Sequence, residues 1–91
     1  MSTQGKWIIP GYIGLGKFFL AKISTSKRYR IWNSLNSGGD LRVEAQDGSQ
    51  KVVAVVKSGS SIDIEGSVMM IRRYSSSSAG QELSGEYESI E

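Results

Sequence analysis

Lys51–Tyr74, KVVAVVKSGSSIDIEGSVMMIRRY, holds the densest apolar content of the chain and limits what the remainder can be. Val52–Val56 is an unbroken apolar run between two lysines. A strand over these residues is apolar on both faces, so both faces need cover. That is expected of a central strand between two layers, or of a strand trapped in a subunit interface. Ile62 and Ile64 then alternate with Ser61, Asp63 and Glu65, the period-2 pattern of a strand with one wet face. Val68–Ile71 resumes the apolar run and ends in Arg72, Arg73 and Tyr74. With turns at Ser58-Gly59-Ser60 and Glu65-Gly66-Ser67, the stretch predicts three consecutive strands and, around them, a small all-β domain.

The chain has 91 residues, enough for one domain near the lower size limit for folding without staples. It contains no cysteine and no histidine. Disulfides, thiolate metal sites, imidazole zinc sites and histidine-based triads are therefore excluded, and no enzyme, cofactor or metal is expected. A small β protein without staples commonly gains stability by self-association. No apolar run reaches the roughly 18 residues of a membrane-spanning helix. No signal-peptide pattern follows Met1, so the expected location is cytoplasmic, or outside the cell by release without a signal peptide.

The net charge of +2 is unevenly spread. Residues 1–39 carry Lys6, Lys17, Lys22, Lys27, Arg28 and Arg30 and no acid; residues 74–91 carry Glu82, Glu86, Glu88 and Glu91 and no base. Mutual neutralisation of the two ends is expected, ahead of a dedicated polyanion surface.

In chain order, Lys6–Ile9 reads as a first strand stopped by Pro10. Gly11–Gly16 is a turn-rich connection, and Lys17–Ser24 is a strand followed by the polar turn Ser24-Thr25-Ser26. Lys27–Asn33 is the next strand. Asn33–Asp40 is a loop whose Asn, Ser and Gly residues suit positive φ. Leu41–Gln46 alternates cleanly, with Leu41, Val43 and Ala45 inward. Asp47-Gly48 signals a type I′ hairpin into Lys51–Lys57. Ser75–Gly80 is low-complexity, and Glu82–Ile90 reads as a last edge strand weakened by Gly85. The expectation is a single domain over residues 1–91, with 1–5 and 75–81 mobile. It is a small antiparallel β-sandwich or partly open barrel of about seven to eight short strands without significant helix.

Gly11–Lys17 matches the phosphate-loop spacing, but Phe18 stands where a magnesium-binding Ser or Thr is needed, and the next segment prefers a strand. The mixture GYIGLGKFFLAKI is conceivable as an interfacial helix, but its glycines oppose one, and peripheral membrane contact is not favoured. Asp63 and Glu65 share an outward strand face, where solvated charge is routine. Arg28, Arg30 and Trp32 share one face of Lys27–Asn33, and Arg72, Arg73 and Tyr74 form a second basic-aromatic cluster. Such groups track phosphates and stack bases. Side by side they would make a nucleic-acid surface.

The Ser-Ile-x-Ile-x-Gly strand and turn at Ser61–Gly66, followed by an apolar strand ending in basic residues, is loosely similar to ring-forming β-sandwich proteins, including the tryptophan-responsive RNA-binding attenuator family. The likeness covers about a fifth of the chain, and no ligand residue is carried over from it.

The expected function is non-enzymatic binding and assembly, with the chain itself as partner. Val52, Val53, Val55, Val56, Met69 and Met70 are the expected interface. The alternatives are nucleic-acid binding through Arg28, Arg30, Trp32, Arg72, Arg73 and Tyr74, and a lectin-like use of Trp7, Trp32 and exposed tyrosines on a glycan.

Overall fold

A computed structural model describes residues 4–11, 18–19, 27–75 and 80–90. The described residues form seven antiparallel strands and no helix: β1 Gln4–Ile9, β2 Phe18–Phe19, β3 Lys27–Asn33, β4 Leu41–Asp47, β5 Gln50–Val56, β6 Ser61–Arg73 and β7 Leu83–Ser89. The all-β antiparallel class read from the sequence is correct. Pairing runs β1-β7-β3-β6-β4-β5, with β2 added to β6.

β6 organises this path. Its first half, Ser61–Gly66, pairs with β3, and its second half, Ser67–Arg73, pairs with β4. One strand thus joins the two halves of a continuous seven-stranded pairing, a first sheet of β1, β7, β3 and the start of β6 and a second of the end of β6, β4, β5 and β2. Their inner faces close on a common core. Trp7, Ile9, Tyr29, Ile31 and Leu83 enter that core from one side, and Leu41, Val43, Ala45 and Val56 from the other. Ile64, Val68 and Ile71 of β6 line the join.

Glu65-Gly66-Ser67 is therefore not a turn between two strands, as the sequence suggests, but a bend within one 13-residue strand. Gly66 has φ 125, and a Cβ there would stand 2.5 Å from the Gln46 carbonyl oxygen. Glycine breaks turns and bends strands for the same reason, and cross-strand pairing on both sides selected the bend. A bulge follows, where Ala45 faces Val68 while Glu44 faces Met70. The inserted residue shifts the alternation so that Ile71, rather than Met70, is buried.

Other expectations change in detail. The hairpin after β4 is set one residue later than read. Asp47 pairs with Gln50, Gly48 alone has positive φ, and glycine at the first central position suits a type II′ turn better than type I′. In the loop after β3, no described residue has positive φ. Buried Asn33 holds it instead, its Nδ2 donating to the carbonyls of Gly39 at 2.9 Å and Val56 at 2.8 Å. β7 is an interior strand between β1 and β3, not an edge. β5, taken as central or interfacial, is the last strand of the path.

Of Lys17–Ser24 only Phe18 and Phe19 are described, paired with Arg72 and Ile71. The remainder of that strand, most of the glycine-rich connection before it and residues 76–79 lie outside the described residues. Among those described, no helix is long and apolar enough to cross a membrane.

Candidate ligand groove and self-association edge

Arg28, Arg30 and Trp32 point outward from β3, as their alternation requires, while Tyr29, Ile31 and Asn33 point into the core. Their neighbours are acids. Arg28 lies opposite Glu65 on β6, and Arg30 lies opposite Asp63 on β6 and Glu88 on β7. The Arg30 guanidinium grips Asp63 through two bonds, Nε to Oδ1 at 2.8 Å and Nη2 to Oδ2 at 3.2 Å. That hydrogen-bonded pairing raises the Arg30 pKa and lowers that of Asp63. On the next strand Lys6 faces Glu86, and Gln4 Nε2 donates to Glu88 at 2.9 Å. Basic β1 and β3 thus flank acidic β7, which sets Lys6 and Arg30 of the basic end in register with Glu86 and Glu88 of the acidic end, although the ion pair that Arg30 forms is with Asp63.

Arg72, Arg73 and Tyr74 do not join this surface. Arg28–Trp32 pairs with Ser61–Glu65, whereas Arg72 and Arg73 pair with Arg42 and Leu41. The seven residue steps from Glu65 to Arg72 cover roughly 23 Å of strand. Arg73 Nη2 donates to the Pro10 carbonyl at 3.2 Å, and partial burial lowers the Arg73 pKa. Tyr74 is exposed at the end of the strand.

Sequence reasoning missed the centre of the second sheet's outer face. Glu44 points outward from β4 yet is buried, because Lys51 Nζ at 2.6 Å, Arg42 Nε at 3.4 Å and Arg72 Nε at 3.7 Å close over it. The Lys51 bond is the main cause that holds its carboxyl below the usual glutamate range, against the opposing effect of burial. The alternation of Leu41–Gln46 assigned Glu44 to the outside. The three cations that cover it converge only once β5 and β6 flank β4.

The expected interface residues divide. Val56 is in the core, and Val52 packs against it from the inner face. Val53 and Val55 point outward and are 45% and 43% exposed. They stand opposite Glu44 and Arg42 on an edge strand that pairs only with β4 among the described strands. Met70 is half-buried opposite Glu44; the Met69 side chain lies outside what is described.

A groove lies on the outer face of the first sheet. One depression of about 690 Å³ is lined by residues that include Ile8, Trp32, Ser34, Leu35 and Ser84. A second, of about 270 Å³, runs past Gln4, Tyr87 and Glu88. Both share Lys6, Trp32 and Glu86. Trp7 is 1% exposed and offers no free ring face, so it cannot be the sugar platform suggested for it. Its indole instead crosses Gly85 of β7, and its Nε1–H donates to the Trp32 carbonyl at 2.9 Å. No described group of acidic side chains is placed to hold a metal ion.

No protein-family model, curated protein or solved structure matches the chain.

Proposed function

We propose that the protein is a non-catalytic assembly module that pairs with copies of itself through β5. The observation that carries this reading is the exposure of Val53 and Val55 on an edge strand. Edge strands are usually short, charged or interrupted by proline, because an apolar edge recruits other strands. Over Val52–Val56 this one has no charge and no proline. A two-fold axis through Ala54 would set Val53 opposite Val55 of a second copy and Lys51 opposite Lys57. The facing lysines oppose such pairing, but Glu44 already binds Lys51 and relieves part of the repulsion. The symmetric contact is self-complementary, as a closed dimer requires.

Sedimentation equilibrium tests the reading. The wild-type chain is expected well above its 9.9 kDa mass at micromolar concentration, and a Val53→Lys, Val55→Lys double variant is expected at monomer mass. A wild-type monomer at high micromolar concentration would sink the reading. The nucleic-acid alternative loses support on β3, whose outward arginines face carboxylates and pair with the first half of β6, whereas Arg72 and Arg73 stand in its second half.

A further inference from the structure

We infer that the groove around Trp32 is a binding site for a neutral glycan, with the indole as stacking surface. The inference goes beyond self-association and is independent of it, because β1, β7 and β3 lie toward the opposite end of the pairing order from β5.

Size and shape come first. The larger depression, about 690 Å³, falls within the range typical of ligand sites, and the smaller continues it across Trp32. A side chain that lines both depressions is placed to contact successive units of a linear ligand. The surrounding scaffold is held in place. The Trp32 carbonyl accepts from Trp7, Asn33 is tied to Gly39 and Val56, and the Ser34 N–H donates to the Ser84 carbonyl at 2.9 Å. Leu35, 82% exposed, stands on the rim beside Gly59.

The chemistry fits a sugar. A pyranose presents C–H groups on its ring faces, slightly positive and apolar, which complement the negative face of an indole. Its hydroxyls both donate and accept. Around Trp32 stand an acceptor carboxylate on Glu86, a donor ammonium on Lys6 and the hydroxyls of Ser34 and Ser84.

Charge decides against a polyanion. The outward positions of β1, β7, β3 and the first half of β6 carry Lys6, Arg28 and Arg30 against Asp63, Glu65, Glu86 and Glu88. Among the described residues the face has a slight acidic excess, and a phosphate or sulfate chain laid over Trp32 would meet Glu86 and Glu88. Phosphate-tracking surfaces have the opposite balance.

The test uses the full chain on a printed array of neutral, sialylated and sulfated glycans, then titrates a retained neutral oligosaccharide by tryptophan fluorescence. Neutral glycans are expected to bind, with affinity little changed up to about 0.5 M salt, where charge contacts are screened. Trp32→Ala is expected to weaken binding by at least about tenfold, the order lost with one aromatic stacking platform. Glu86→Gln, at an exposed position, is expected to weaken it several-fold with an unchanged far-ultraviolet circular dichroism spectrum; this variant keeps the test decisive should Trp32→Ala misfold. Absence of neutral glycan binding would overturn the inference. So would binding confined to sulfated glycans and lost with salt, or neutral glycan binding that both variants leave intact. None of these outcomes bears on the mass measured by sedimentation, so assembly through β5 stands or falls separately.

Discussion

Gly85 and Trp7 act as one unit. Gly85 lies opposite Trp7 on β1 and Asn33 on β3, and a Cβ there would run into the Trp32 carbonyl oxygen and come within 2.7 Å of the Trp7 ring. The missing side chain lets the indole cross β7 and reach β3. In the sequence Gly85 reads only as a weakness in a strand, because the ring that covers it comes from 78 positions earlier. Gly85→Ala is expected to cost about 2–3 kcal/mol by overpacking. Its fluorescence should shift to the red as Trp7 is displaced; an unshifted spectrum with unchanged denaturation midpoint would refute the crossing. Glu44 makes the second case. Its folded-state pKa is depressed, so the unfolded chain binds its proton more readily, and the stabilisation is present above the ordinary glutamate value. It is lost as pH falls through the folded value. Glutamine keeps an acceptor oxygen there and the covering side chains are part-exposed, which limits the loss in Glu44→Gln to about 1–2 kcal/mol near neutral pH. Denaturant titrations of wild type and variant are expected to differ at pH 7 and to converge only as the pH falls through the folded-state value, below the ordinary glutamate range. A gap that persists in acid would contradict this account.

At the scale of elements, β6 carries the architecture, and Gly66 carries β6. Local pattern identified both apolar segments, since Ile62–Ile64 alternates with polar residues and Val68–Ile71 is a short continuous apolar run. It could not tell a turn from a bend, because that depends on whether β3 and β4 pair along one continuous strand. Gly66→Ala introduces a residue at φ 125 with its Cβ against the Gln46 carbonyl. The expected cost is about 3 kcal/mol or more, a large share of the roughly 5–14 kcal/mol available to a domain of this size. Equilibrium urea unfolding measures it, and a variant as stable as wild type would show that the bend does not need glycine. The strand ends were more legible. Pro10 stops β1, and β3 spans the residues read for it, since each boundary is written in local chemistry.

At the scale of the whole molecule, charge and exposure are arranged by topology. Placing β7 between β1 and β3 sets the acidic end of the chain beside the basic end. Placing β5 last leaves Val53 and Val55 uncovered. If copies pair there, the thermal midpoint rises with protein concentration in the wild type and stays constant in the Val53→Lys, Val55→Lys variant, by mass action. The sequence by itself determined that the chain is all-β and antiparallel, where most strands lie, and that histidine and cysteine chemistry are absent. These follow from period-2 alternation, turn residues and composition, all of which act over a few positions. Only the tertiary structure decided that the apolar run of β5 sits at an edge, that the glutamate-rich segment is interior, and that Arg28–Trp32 and Arg72–Tyr74 are kept apart. Those outcomes depend on which strands pair, and strand order is set by the joint burial of side chains distant in sequence.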